Sequence, residues 1–287
     1  MEYKFLKITD EFYPKKLKDI KNPPRKLYYI GNINLLEKPM FAVIGTRHIT
    51  DYGREIAKIF TNNLAEEFVI ISGMAIGTDA VAHKAALEAG GKTIAVLGSG
   101  FNNIFPKENI ELFNEIIKTG GLILTEYSPS VKPKSQNFPA RNRIVSGLSD
   151  GVLVIEAAYR SGTSITVSFA KEQGKKVFAI PGRLDSKYGV GVNKLIQEGA
   201  ILVTEIEDII KHYPQIMSKR WKTIYQEREI KEEYKQIYNI LEEGPSGLEE
   251  LVIKIENRTI REIMNILSKM ELEGIIKQEI GVGYKKI

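Results

Sequence analysis

Seven short apolar runs constrain this chain more than any other feature. FAVIG (41–45), VIISG (69–73), TIAVLG (93–98), LILTE (122–126), VLVIEA (152–157), VFAIPG (177–182) and ILVTE (201–205) are rich in β-branched side chains and almost free of polar alternation. A strand with one wet face would alternate apolar and polar residues, so continuous runs of this kind belong to strands covered on both faces. Between them lie amphipathic stretches with helical spacing, such as YGREIAKIFTNNLAEE (52–67) and TDAVAHKAALEAG (78–90). Strand and helix therefore alternate, which predicts an α/β fold: a doubly wound, mostly parallel sheet with its ligand crevice beyond the carboxyl ends of the strands.

The tail has another pattern. REIKEEYKQIYNILEEG (228–244), LEELVIKI (248–255) and IREIMNILSKMELEG (260–274) read as three helices, and IIKQE (275–279) with YKKI (284–287) as a hairpin. That order predicts a small C-terminal winged-helix domain. The expected organisation is a short lead-in at 1–39, an α/β domain at 40–212, a mixed, proline-bearing linker at 213–227 and the winged helix at 228–287.

Charge separates the two parts. From residue 225 onward there are 10 basic and 13 acidic residues, leaving 31 basic and 23 acidic, net +8, in the front part. A polyanionic partner would meet the front part, although surplus lysines also serve solubility alone. The chain has no cysteine, which excludes disulfides and thiolate metal or redox sites. No apolar run approaches the ~20 residues that cross a bilayer. The N-terminal stretch MEYKFLKITDEFYPKK is charged where a signal peptide is apolar, so a cytoplasmic protein without membrane contact is expected.

Several catalytic patterns fail on context. ALEAGGKT (86–93) approximates a phosphate-binding loop, but it ends a helix and enters a strand, the reverse of what such a loop requires. GSGFNN (98–103) has Asn103 where a dinucleotide fingerprint needs its third small residue. Asp79 and His83 share a helix face at i,i+4 spacing, which could hold a metal, but with only His48, His83 and His212 in the chain a packed or hydrogen-bonded histidine is the expected reading. No serine sits in a G-x-S-x-G elbow. No cofactor, metal or catalytic residue is expected, and the chain reads as a binding protein.

Three strand-end turns point to an anion. Thr46-Arg47 follows the first run, Gly73 to Asp79 the second, and Arg160-Ser161-Gly162-Thr163-Ser164 the fifth. In a parallel sheet these turns share one edge, where glycines expose backbone amides, hydroxyls add donors and Arg47 supplies a forked cation. Ordinary helix capping would use the same hydroxyls. A fourth piece, NFPARNRIVSGLSD (137–150), places Phe138 ahead of Arg141, Asn142 and Arg143, an aromatic beside paired cations as single-stranded nucleic acid requires. One of these arginines has Glu126 or Glu156 as an alternative partner.

The order Gly45-Thr46-Arg47, SGMAIGTDAVAH (72–83), TIAVLGSG (93–100), FPARNRIVSGLS (138–149), VIEAAYRSGTSIT (154–166), AIPGRL (179–184) and GVNKLIQEGA (191–200) resembles the DprA/Smf family of DNA-processing proteins over residues ~12–212. The resemblance implies an extended Rossmann-like domain and a cytoplasmic, homodimeric protein. It also implies single-stranded DNA binding that protects incoming DNA in natural transformation, and loading of the RecA recombinase. Carried onto matching positions, Arg47 would hold a phosphate, Phe138 would stack near a base, and Ser161, Gly162 and Thr163 would line the pocket. Departures are Thr78 before the motif's Asp79 and SGTSITVS in place of a commoner SGSLITA.

Lys134 and Lys194, each in a predicted loop, extend the expected DNA-binding set by backbone neutralisation. The expected recognition helix around 259–274 carries Arg261 and Lys269 against Glu262, Glu271 and Glu273, a poor duplex reader, so the winged helix is expected to contact protein, or only a DNA fringe. Two alternatives stay open: a LOG-like nucleotide phosphoribohydrolase using Glu156, although the PGG-type turn of those enzymes is absent, and a duplex-binding regulator acting through the tail.

Overall fold

The computed structural model describes residues 2–159, 161–218, 221, 231–255, 257–279 and 281–286. The chain divides into two units, Met1–Ile216 and Met217–Ile287. All seven apolar runs are strands of one sheet: β3 (Met40–Ile44), β4 (Val69–Ser72), β5 (Thr93–Val96), β6 (Leu122–Thr125), β7 (Gly151–Val154), β8 (Lys176–Ala179) and β9 (Ile201–Leu202). Every residue of β3 to β7 is buried, which is why those runs lack alternation. The expected Rossmann-like, doubly wound architecture is present.

The sheet has nine strands in the order β1-β2-β6-β5-β4-β3-β7-β8-β9. The segment expected as a mere lead-in supplies β1 (Lys4–Lys7) and β2 (Lys26–Gly31), which pair antiparallel with each other, and β2 pairs antiparallel with β6. In β1 only Leu6 is buried, and Lys4 and Lys7 stay exposed. At the other rim β9 is two residues long, with Leu202 47% exposed.

Helices cover both faces: α1 (Lys15–Lys18), α2 (Asp51–Glu67), α3 (Thr78–Glu88), α4 (Ile110–Lys118), α5 (Asn137–Leu148), α6 (Gly162–Glu172), α7 (Lys187–Gln197) and α8 (Glu207–Ile210). Helix α5 starts earlier than its sequence suggests, because Pro139 falls in the first turn, where a missing N–H costs nothing. Phe138 is thereby fixed on a helix and not in a loop.

Strand order fixes the location of the crevice. From β3 the chain first steps outward through β4, β5 and β6, and then returns to β3's other side with β7. The connections leaving β3 and β7 diverge, and ligands of doubly wound sheets bind at such a switch point.

The second unit contains α9 (Lys235–Glu242), α10 (Leu248–Lys254), α11 (Ile260–Leu272) and the hairpin β10 (Ile276–Glu279) with β11 (Gly283–Lys286). Its own core includes Tyr234, Ile237, Leu251, Ile263, Leu267 and Met270. Three helices and a hairpin are compatible with a winged helix. Most of the expected linker, 219–220 and 222–227, lies outside the described residues. Among the described residues no helix is long and apolar enough to cross a membrane.

Candidate nucleic-acid interface

A cleft of ≈530 Å³ opens at the switch point and is lined by the turns after β3, β4, β7 and β8 together with the first turns of α5. Thr46, 8% exposed, is held by backbone bonds: its N–H donates to the Glu156 carbonyl (2.8 Å). Arg47 is exposed, forms no salt bridge among the described residues, and lies 5.7 Å from the centroid of the Phe138 ring. Its charge is offered to the cleft without a carboxylate partner among the described residues.

Glu156, the residue a hydrolase reading would use, has both carboxylate oxygens engaged by Thr50. Its Oε2 accepts the Thr50 N–H (2.9 Å) and its Oε1 accepts the Thr50 hydroxyl (2.7 Å), while that hydroxyl's oxygen accepts the Gly53 N–H (3.0 Å) at the start of α2. The carboxylate is 4% exposed and anchors the helix that follows Arg47.

The β4 turn is braced from beneath. Asp79 Oδ2 accepts the N–H groups of Gly73 (3.1 Å) and Ala75 (3.2 Å), and Asn109 Nδ2 donates to the carbonyls of Met74 (2.8 Å) and Ala75 (3.2 Å). These bonds hold buried Met74 at φ 59°, a left-handed conformation uncommon for a side chain of its size. Gly77 has φ +80°, and a Cβ there would come within 2.5 Å of the Thr46 carbonyl oxygen. Its absence lets the turn lean on Thr46, whose carbonyl accepts both the N–H and the hydroxyl of Thr78 (3.1 Å each). Thr78 thus ties two cleft walls together.

Arg141 and Arg143 depart from the expectation that both face DNA. Arg141 is 3% exposed, and its guanidinium donates to the carbonyls of Gly73 and Val96 and, through Nε, to Asn142 Oδ1 (3.1 Å). It fits because Gly73 has no side chain: a Cβ would lie 2.4 Å from the guanidinium. Burial lowers the Arg141 pKa to about 10, opposed by Asp79, so it remains cationic at neutral pH. Burial raises the Asp79 carboxyl, with Arg141 opposing. The pair supports the floor of the cleft. Arg143 lies outside the lining, forked onto Glu126 (2.7 Å to each oxygen) and donating to the Asn22 carbonyl (2.9 Å).

The β7 turn presents donors. Ser161 occupies the N-cap of α6 without making a side-chain cap bond, and its buried hydroxyl has no hydrogen-bond partner among the described residues. Helix starts leave backbone N–H groups unpaired, and those of Gly162 and Thr163 belong to this first turn. Arg160, read as part of the same turn, lies outside the described residues.

Several residues in the lining escaped the sequence, Lys187 and Tyr188 chief among them. Lys187 and Tyr188 open α7 after β8 and line the same cleft, the lysine exposed and its Nζ 4.9 Å from the Tyr188 ring. Applying the strand-end argument to β8 would have found them. Lys134 is exposed beyond the lining, on the segment leading to α5, where its carbonyl accepts the Asn137 N–H (2.9 Å). Lys194 lies on α7 beside a separate depression with Tyr159, Ser168 and Glu198. His83 and Asp79 turn to different partners: His83 Nδ1 pairs with Thr93 Oγ1 (2.6 Å), and burial lowers its pKa to about 3.

The family model for DNA recombination-mediator protein A matches residues 4–214. DNA processing protein DprA of Streptococcus pneumoniae is 45% identical over 206 residues, 72% of this chain and 73% of that protein. Protein Smf of Escherichia coli is 45% identical over 203 residues, 70% of this chain and 54% of that protein. The X-ray structure of DprA from Streptococcus pneumoniae superposes with a TM-score of 0.71 at 44% identity, covering 73% of this chain and 74% of the other. A Helicobacter pylori DNA processing protein A structure, described for its single-stranded DNA binding mode, gives a TM-score of 0.67 at 34% identity and covers 75% and 96%.

Proposed function

The chain belongs to the DprA/Smf family of DNA-processing proteins, and from that premise we propose that it binds single-stranded DNA in the switch-point cleft, with no catalytic step of its own. One observation carries this: an uncompensated cation, Arg47, lies against the Phe138 ring, next to the Ser161–Thr163 helix start. A phosphate fits the cation and amides, and a base fits the ring. Thr46, Gly73, Arg141 and Asn142 shape this surface, Lys187 adds charge, and Lys134 serves strand leaving the cleft.

Protection of incoming DNA in transformation, transfer of the strand to RecA and assembly as a homodimer through the Rossmann-like unit complete the reading. The second unit serves as a winged helix that contacts protein. On α11, Glu262 is committed to its capping box with Thr259 and Lys269 pairs with Glu233 (3.5 Å), which leaves little charge for a duplex. The hydrolase alternative is disfavoured because both oxygens of Glu156 are engaged by Thr50.

The test is a salt-titrated binding assay with fluorescent oligothymidine and a matched duplex, comparing wild type with Arg47→Ala. Loss of a charge-assisted bond worth ~1.5–3 kcal/mol weakens single-strand binding about ten- to a hundredfold. The log–log salt slope flattens by about 0.7 for one phosphate contact. Unchanged affinity in the folded variant, or preference for duplex, overturns the proposal.

A further inference from the structure

We infer that Phe105 is a second base-stacking face, carrying a bound strand out of the cleft on the β5 side; this rests on the single-strand binding proposed above. Phe105 is 43% exposed and lies outside the cleft lining. Its centroid is 5.5 Å from that of Phe138, with the planes tilted by 48°. Phe138 in turn meets the Arg47 guanidinium at 5.7 Å, so cation, ring and ring form one chain of contacts.

A single exposed aromatic needs no explanation. Here the mount is rigid on both sides of the ring. Ser99 Oγ donates to the Asn103 carbonyl (2.7 Å), Asn103 Nδ2 donates to the Ser130 carbonyl (3.0 Å), and Asn109 fastens the far side to Met74 and Ala75. Neighbouring Phe101 (4% exposed) and Pro106 turn into the protein, whereas Phe105 stays out. Charge suits a polyanion: the Gly100 N–H to Val131 carbonyl bond (2.9 Å) joins this segment to the one carrying exposed Lys132 and Lys134, while Lys107 is offset by Glu108.

The geometry restricts how bases stack. A base held between two rings needs them about 7 Å apart, twice a van der Waals contact of roughly 3.5 Å. At 5.5 Å and 48° the two rings touch each other, so no single base lies between them, and exposed Phe105 offers its outer face to a base neighbouring the one at Phe138 and Arg47, at a bend in the strand.

The experiment uses the full chain and oligothymidines of about ten nucleotides carrying 2-aminopurine at successive positions, with Phe105→Ala, Phe105→Leu, Phe105→Tyr and Arg47→Ala measured together. Removing a stacking ring weakens binding roughly five- to a hundredfold and changes the fluorescence at one base position. Alanine and leucine both lose this contact, and tyrosine retains it. If the leucine variant binds like wild type, the ring only fills space and the inference falls. If Phe105→Ala binds within twofold of wild type while Arg47→Ala fails, the inference falls and the cleft reading stands. If wild type binds no oligothymidine, the cleft reading itself fails.

Discussion

Glu156→Gln separates a structural carboxylate from a chemical one. The carboxylate accepts two bonds from Thr50, at 2.9 and 2.7 Å, and is 4% exposed, so solvent cannot replace either bond. Glutamine keeps one acceptor, for the Thr50 N–H, and its NH2 forces the Thr50 hydroxyl to accept where it had donated to a carboxylate, so that charge-assisted bond is lost. One lost bond to a charged group costs ~1.5–3 kcal/mol. Relief of the buried charge returns part of that, which places the net loss near ~2 kcal/mol. For a unit of this size each kcal/mol moves the melting temperature by about 2–4 °C, so calorimetry of the full chain should show the larger unit's transition falling by ~4–8 °C. Oligothymidine affinity measured well below that transition should stay within about threefold of wild type. Unchanged melting together with loss of mononucleotide turnover would refute this reasoning and assign Glu156 to catalysis.

Other outcomes follow from the same contacts. Arg143→Ala strands the partly buried Glu126 and should cost ~2–3 kcal/mol in urea unfolding with little effect on single-strand affinity, whereas a binding defect without loss of stability would return Arg143 to the DNA surface. His83 is neutral in the fold because burial lowers its pKa from 6.5 to about 3. Between those values only the unfolded chain binds the proton, so stability falls as pH falls, by ~1.4 kcal/mol per unit or about 2 kcal/mol at pH 5. His83→Gln should lack this component, and parallel urea midpoints in the two proteins at pH 7 and 5 would refute it. Deleting residues 225–287 should leave most oligothymidine affinity, and a large loss in a folded truncation would place DNA contacts on the second unit.

The sequence revealed what depends on neighbours in the chain and concealed what depends on distant partners. Strands β3 to β8 were legible because covering both faces removes polar alternation. KFLK and KLYYIG were not, since half-exposed antiparallel strands at a rim carry lysines that read as loop. That Arg47 and Ser161–Thr163 line one cleft was legible from their positions after a strand or at a helix start, whereas Phe138 was expected ahead of α5 and lies in its first turn. Arg141 misled because its burial is decided by carbonyls 68 and 45 residues away, on Gly73 and Val96. Arg143 turned on Glu126, one of two partners the sequence offered.

The two rims of the sheet bear on how this protein behaves at high concentration. Strands as apolar as β3 to β7 would recruit other chains if they ended in a long, flat, open edge. One rim ends in β1, where Lys4 and Lys7 would bring unpaired charge into any added strand, and the other in β9, whose two residues offer too few backbone groups to template a ladder. The same lysines that hid β1 from a reading of hydrophobic runs make it a poor seed for intermolecular β-structure.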